Sequence, residues 1–525
     1  MLRGTNLSAW LVVGLCGAAA APIASAQIFQ RAYGTSVPEV AFDIINRTDC
    51  TYQTIGQRSP TGDLSTVHTV KYDSNGAVLW NKQYRIGQGH SAGYTIEEAR
   101  DGTLLLGCET YVSGVIGKLI LRTTSAGALI WGRFAPGTAF ASSSGDGSLG
   151  VSVRELSSLK IASVNRQDAT FSVGRVGILS VFNSNGTVVY DRAYIPSGPF
   201  GVSIELDFAE VREAKTPANS GEMLIVGNLR EATGQRGALA MRVDASGNII
   251  WARKYVASTG SIYADGFDLD DSGDIIFSGR RNSGTMIVAK LDSLTGTPIW
   301  ASTSFGFLNG FQAVNFTPER TIVIAGTRIE GSAPEKSSAG LTEFSSTGAL
   351  LKRALYGPFV PGKVVRGEGV VRSAPWGGYA LAASTNDFGA GDSDIYFIKT
   401  YSTFITACRG LFEPATATPL TLEMSTPSIQ VVSLTAQSTP TVTSPDFALT
   451  TTTACFTQRC LGDLNGDGLV DDADFVIFAF AYDVLVCPTS PALYSCCPAD
   501  LNNDGMVDDA DFVLFATGYD ALICS

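Results

Sequence analysis

Near the C-terminal end of this 525-residue chain, two stretches space oxygen-bearing side chains as if to wrap a small hard cation. In the first, Asp463, Asn465, Asp467, Asp471 and Asp474 fall at positions 1, 3, 5, 9 and 12 of a twelve-residue loop. Gly468 stands at position 6, where such a loop must turn sharply, and Leu469 at position 7 would add its backbone carbonyl. Thirty-seven residues further on, Asp500, Asn502, Asp504, Met506, Asp508 and Asp511 repeat the arrangement. Calcium takes six to eight oxygens at roughly 2.3–2.6 Å, so the spacing predicts two Ca2+ ions, one per loop. The stretches Asp463–Cys487 and Asp500–Cys524 agree at 18 of 25 positions.

A helix is expected to hold each loop in shape. Phe475–Tyr482 and Phe512–Tyr519 are apolar enough to form one after each loop, and no helical stretch precedes either, so each unit reads as half an EF-hand. Paired loop–helix units with Asp at position 12 resemble the type I dockerin family, over about residues 461–523. The resemblance implies two bound Ca2+ ions and docking onto a cohesin-like or other extracellular or cell-surface protein, in a polysaccharide-degrading setting. The chain departs from the family pattern in two ways. Asp-Ala stands at loop positions 10 and 11 in both copies, and cysteines frame each unit. Cys460 and Cys497 lie three residues before a loop, Cys487 and Cys524 thirteen after, which predicts the disulfides Cys460–Cys487 and Cys497–Cys524 and leaves Cys496 over. Cys50–Cys108 and Cys408–Cys455 are the remaining expected pairs.

The charge is concentrated in this module. The chain has 49 Asp and Glu against 37 Lys and Arg, a formal charge of −12. Residues 460–525 hold twelve Asp and no other charged residue, so the rest is formally neutral and offers no basic surface for nucleic acid. Charged residues are 16% and hydrophobic ones 45%, which favours a large core over disorder. Residues 1–26 read as a secretory signal: Arg3, the apolar run Trp10–Ala21, then Ala24-Ser25-Ala26. Leu15 before Cys16 does not suit a lipid-attachment site, no later stretch is long and apolar enough to span a bilayer, and a secreted, extracellular protein is expected.

Residues 27–402 carry a repeat. A turn glycine, an aromatic residue four positions on and often a Tyr four further recur as Gly76…Trp80…Tyr84, Gly186…Tyr190…Tyr194 and Gly247…Trp251…Tyr255. Looser copies are Gly127…Trp131…Phe134, Gly296…Trp300…Phe305 and Gly348…Lys352…Tyr356, and Phe29 with Tyr33 form a copy without its turn. Each unit of about 50 residues holds four strand-like runs separated by Asp-Gly, Asn-Gly or Ser-Gly turns. Such a period predicts a mainly β, seven-bladed β-propeller, with the small helical calcium module appended. The strand holding Phe29–Tyr33 is expected to complete the last blade and close the ring. The units resemble the repeats of secreted bacterial seven-bladed propellers, which implies a scaffold more than an activity. Residues 403–459 follow, and within 411–454 Thr, Ser and Pro make up half of the segment, which reads as an extended linker or a small β hairpin tied by Cys408–Cys455, with a solvated spacer the default.

Two motifs are decoys. Gly89-His90-Ser91-Ala92-Gly93 has the G-x-S-x-G form but lies between two strands instead of before a helix. Gly145–Gly150 has the G-x-G-x-x-G form and leads into a strand-like run. His68 and His90, the two histidines, make no zinc site. No catalytic residue is assigned. The sequence supports a secreted propeller that presents a binding surface, with a glycan among its candidate ligands, moored by the calcium module. The alternative is a polysaccharide hydrolase or lyase with its active face on the propeller, which needs carboxylates or a Tyr/Arg/His set converging on one face.

Overall fold

The repeated glycines close hairpins with φ between 75 and 82° at Gly76, Gly127, Gly186, Gly247, Gly296 and Gly348, a left-handed conformation that glycine adopts without strain. The computed structural model describes residues 27–519 apart from 62–63, 87–88, 113–114, 137–150, 169–173, 198–203, 218–219, 232–234, 259, 282–283, 306–313, 331–335, 358–361, 373–376, 407–409, 414–415, 435–437, 445–446, 459–461, 466–468, 485–498 and 502–505. The expected signal segment lies outside the described residues. Among them, no helix is long and apolar enough to cross a membrane.

The fold is mainly β, in a propeller arrangement of four-stranded antiparallel units. Glu39–Asn46, Tyr52–Thr61, Leu64–Tyr72 and Val78–Ile86 make the first, and Ser91–Glu98, Leu104–Val112, Val115–Thr123 and Leu129–Pro136 the second. Units beginning at Ile262–Leu269, Val314–Phe316 and Val365–Arg372 are also sheets of their own. The two units between, beginning at Ser152–Glu155 and Glu205–Glu213, are merged into one ten-stranded sheet by a single parallel pair, Arg175 with Glu205. Among the described residues, five separate blades and one ten-stranded sheet therefore replace the seven separate blades expected. The seam is where Arg175 sits within 3.7 Å of the Glu205 carboxylate and 3.3 Å of Asp207, an attraction that brings the two backbones together.

Closure occurs as the sequence suggested. Gln27–Gly34 pairs antiparallel with Asp394–Thr400, from Phe29 opposite Lys399 to Tyr33 opposite Ile395, and so completes the last sheet. The core lies between neighbouring sheets. Ile55, Val67 and Tyr84 of the first sheet pack on Ile96, Leu104 and Leu119 of the second, and the last sheet meets the first through Phe29, Tyr33, Phe397, Ala41 and Ile44.

The aromatic repeat is a clasp between consecutive units. Tyr33, Tyr84, Tyr194 and Tyr255 donate their hydroxyls to the carbonyls of Gly76, Gly127, Gly247 and Gly296, the turn glycines of the next unit, at 2.5–2.8 Å. Where Phe134 replaces Tyr, Arg133 Nε donates to the Gly186 carbonyl instead, at 2.6 Å. In the Phe305 copy, Ser302 Oγ donates to the Gly348 carbonyl at 2.9 Å. The first aromatic of each copy covers the same glycine: a Cβ on Gly186, Gly296 or Gly348 would stand 2.6–2.9 Å from the ring of Trp131, Trp251 or Trp300. The tryptophans are therefore packing residues. Tyr255→Phe, which leaves a buried carbonyl without its donor, is expected to cost about 1–2 kcal/mol, read as a shift in the urea midpoint at constant slope.

The segment expected to be a solvated linker is a belt. Gly410–Phe412, Ala417–Pro419, Leu422–Ser425 and Ile429–Ser433 add an antiparallel fifth strand to Leu350–Tyr356, Pro298–Phe305, Ile249–Ala257 and Val188–Pro196 in turn. A bridge from Ser438 to Phe134 and the pair Val442–Thr443 on Val78–Ile86 continue the path. Thr450–Gln458 ends it along the N-terminal strand Gln27–Gly34. The chain thus runs round the propeller in the reverse of sheet order and pairs the outer edge strand of each unit. Its side chains are largely exposed and its backbone is paired, which corrects the spacer reading.

Candidate functional site

The described part of the C-terminal module is two helices, α1 (Asp472–Val484) and α2 (Asp509–Tyr519), each beginning three residues earlier than its apolar run. Asp471 and Asp508, at loop position 9, cap them: their Oδ1 atoms accept the N–H of Ala473 (2.9 Å) and Ala510 (2.8 Å). Asp474, fully buried, accepts the N–H groups of Leu464 (2.7 Å) and Asn465 (2.9 Å) on Oδ1 and of Asp471 (3.0 Å) on Oδ2. Asp511 does the same with Leu501 (2.7 Å) and Asp508 (3.1 Å). The position-12 carboxylates therefore lie at the centre of their loops and tie both loop ends together.

Asp463 and Asp500, at position 1, are also buried. Burial pushes the Asp474 carboxyl above its ordinary range, and the charge of Asp463 adds to the push. Asn465, Leu469 and Met506 are described, with the Leu469 and Met506 side chains exposed, whereas Asp467, Asn502 and Asp504 lie outside the described residues. Among the described residues no three His, Cys, Asp or Glu side chains form a metal cluster. The donor chemistry present, buried carboxylates held against like charge, suits a cation.

The helices pack through Leu464, Val470, Phe478, Leu501, Val507 and Phe515, with the Phe478 and Phe515 rings stacked at 4.9 Å. The contact is reciprocal: the Tyr482 hydroxyl donates to Asp509 and the Tyr519 hydroxyl to Asp472. Phe475, Val476, Phe480, Phe512 and Val513 stay exposed, Val476 at 67% and Val513 at 62%.

Of the expected disulfides, one is overturned. Cys50 is disulfide-bonded, but Cys108 is a free thiol, buried among Ile55, Leu106 and Leu119 and pushed up in pKa by that burial. Cys108 is a core residue, and the pair Cys50–Cys108 does not form. Cys408, Cys460, Cys487, Cys496, Cys497 and Cys524, and the side chain of Cys455, lie outside the described residues.

A second candidate site, absent from the sequence reading, occupies the end of the propeller where the first strand of each unit begins. Several of these strands carry a bulge, and the extra residue is Phe42, Tyr94, Asp265 or Glu368, turned out of the regular alternation. Phe42 and Tyr94 stack at 5.3 Å, and the Tyr94 hydroxyl donates to Glu109 Oε1 at 2.8 Å. At the seam of the ten-stranded sheet, Arg175 and Arg236 each face both Glu205 and Asp207, Arg166 faces Asp207 at 3.8 Å and Arg230 faces Glu205 at 3.3 Å. Tyr263 is flanked by two guanidiniums, Arg236 at 5.3 Å and Arg280 at 5.2 Å from the ring centre. Arg280 also holds Asp265 at 3.1 Å, and burial pushes that carboxyl up to about 6 against the pull of Arg280. Burial likewise raises Asp207, whose Oδ1 has no hydrogen-bond partner among the described residues.

The Gly89–Gly93 motif is packed into the sheet. His90 Nδ1 pairs with the buried Ser65 hydroxyl at 2.6 Å, and Ser91 Oγ pairs with Thr110 at 2.8 Å. His68 is buried against the Phe447 ring of the belt, and burial lowers its pKa to about 3. Gly145–Gly150 lies outside the described residues.

No family model and no curated protein matches the chain. Among solved structures, a Dyadobacter fermentans protein of unknown function is similar at 10% identity and TM-score 0.41, covering 70% of this chain and 97% of that one. The Dos1 propeller matches at 10% identity and TM-score 0.37 over 72% of this chain and 93% of its own. The polysaccharide lyase Uly1 matches at 11% identity and TM-score 0.35 over 70% and 90%. Similarities at this level carry no inference about activity.

Proposed function

We propose that this chain is a secreted, non-catalytic propeller that presents a ligand-binding mouth and is moored through a calcium-dependent, dockerin-like module. In this reading the ten-stranded sheet counts as two blades and the ring is seven-fold. The observation that carries the mooring is the pair of buried position-12 carboxylates, Asp474 and Asp511, each gathering loop N–H groups. Asp463, Asn465, Asp467, Asp471 and Asp474, with the Leu469 carbonyl, would hold one ion, and the equivalent set from Asp500 to Asp511 the other. Calcium supplies the positive charge that lets these carboxylates share a small volume. The chain's own contribution is to cap α1 and α2 with Asp471 and Asp508 and to fix the loops against the Phe478–Phe515 core. Calorimetric titration of the metal-free full chain with Ca2+ tests this reading. Two sites per chain are expected, and no uptake would refute it.

The partner is proposed to be a cohesin-like or other extracellular protein that takes the exposed Val476 and Val513 faces, in a polysaccharide-processing setting. Because the reciprocal tyrosine contacts relate α1 to α2 by an approximate half turn, either helix would present nearly the same surface. Ala473→Arg or Ala510→Arg alone is then expected to cost about 0.4 kcal/mol, the loss of one of two orientations, and both together most of the binding. Pull-down and titration with an identified partner check this, and abolition by one single change would show that only one face docks.

A polysaccharide-active enzyme is the second reading. It is favoured by the convergence of Tyr, Arg and carboxylate side chains at the mouth, and release of shortened or unsaturated glycan products by the purified chain would establish it.

A further inference from the structure

We infer that the arc formed by Arg175, Arg236, Tyr263 and Arg280 at the propeller mouth is a binding site for a polysaccharide bearing carboxylate or sulfate groups. The inference rests on the reading of the mouth as a ligand surface and names the chemistry of its ligand.

Three features of the arc point the same way. First, the guanidiniums are positioned before any ligand arrives. Arg236 is held by Glu205 and Asp207, and Arg280 by Asp265, so little side-chain freedom remains to be lost on binding. A planar guanidinium matches the two oxygens of a carboxylate or a sulfate, where a lysine would act only as a point charge. Second, Tyr263 lies half-buried between two cations. Its ring offers an apolar surface beside the anion sites, as a sugar ring with one acidic substituent requires. Third, a buried acceptor beneath the arc is left for a sugar hydroxyl. The Asp207 Oδ1 is buried and has no hydrogen-bond partner among the described residues.

The geometry favours a glycan over nucleic acid. The cations form a short arc interleaved with Glu205, Asp207 and Asp265, not the continuous basic track that follows a nucleic-acid backbone. A sugar ring with an acidic substituent can place its anion at a guanidinium and its apolar face against Tyr263.

Affinity electrophoresis and titration of the full chain test the proposal. The probes are polygalacturonate, its carboxyl-reduced form, dextran sulfate, neutral dextran and single-stranded DNA, each with calcium and with EGTA. Retention by polygalacturonate but not its reduced form assigns the site to carboxylates, and retention by dextran sulfate assigns it to sulfate. Either supports the proposal if binding weakens with salt. Arg236→Ala with Arg280→Ala should weaken binding at least about tenfold, from the loss of charge-assisted hydrogen bonds. Should that variant fail to fold, Arg236→Lys with Arg280→Lys decides: it keeps the charge, loses the planar fork, and should still bind several-fold more weakly. Equal binding of charged and neutral glycans, preference for DNA, binding by neither anionic glycan, or unchanged affinity in the Lys variant would each overturn it. Because the site belongs to the propeller, EGTA should leave this binding intact. Failure of the mooring module would instead appear as absent calcium uptake with glycan binding unchanged.

Discussion

A chain ending at Thr406, without the belt and the calcium module, is expected to melt on the order of 10 °C below the full chain and to aggregate when concentrated. The reason lies in the backbone. Without the belt, Leu350–Tyr356, Pro298–Phe305, Ile249–Ala257, Val188–Pro196 and Val78–Ile86 would each present a row of unpaired N–H and C=O groups to solvent. Such edges recruit strands from other chains. The N-terminal strand would lose the most, because Thr450–Gln458 pairs along it from Gln27 to Gly34 and that strand also closes the ring. A chain ending at Gln458 keeps the belt and lacks only the module, and it should melt with the full-length propeller. Calorimetry of the three chains separates the outcomes. Equal melting of the Thr406 and Gln458 truncations would return the belt to the status of a spacer.

The belt could not be recognised from side chains, and the reason is physical. An edge strand on an already covered sheet needs few buried residues, so Leu422–Ser425 and Ile429–Ser433 show mostly exposed side chains and no strong alternation. What holds them is main-chain hydrogen bonding, which leaves no residue code beyond a tolerance for Thr. The aromatic repeat behaved oppositely. Trp131, Trp251 and Trp300 must be large because each fills the space a Cβ would take on the next unit's turn glycine, and that demand recurs at the other interfaces except where Lys352 stands in the aromatic position. Hence the period, and the closure of the ring by the strand holding Phe29 and Tyr33, could be read directly. Cys108 was misassigned because a small apolar thiol in a core and a disulfide cysteine look alike in sequence. The mouth was hidden for another reason. Arg175, Arg236 and the cross-strand pair Tyr263–Arg280 come from three consecutive units, and the packing of those units brings them together.

Removing calcium is expected to unfold the tail and spare the propeller. Residues 460–525 carry twelve Asp with no Lys, Arg or Glu, and two Ca2+ ions would reduce a formal −12 to −8. The tail's own core is small: a few apolar side chains around Phe478 and Phe515 must offset the repulsion of carboxylates that include the buried Asp463, Asp474, Asp500 and Asp511. Metal-binding free energy then becomes folding free energy. On adding EGTA, the helical circular dichroism of α1 and α2 should disappear and protease should cut within 462–519, while the β signal persists. Asp474→Ala should have a larger effect than removing a ligand alone. The carboxylate gathers the N–H groups of Leu464, Asn465 and Asp471, so its loss frees both ends of the loop, at about 1–3 kcal/mol for each buried donor left unpaired. Asp511→Ala should act in the same way on the second loop, through Leu501 and Asp508. Each single variant is expected to bind one calcium, and the double variant none. Retention of two ions by either single variant, or a helical signal unchanged by EGTA, would show that the loops fold without metal and that the acidic pattern serves another purpose.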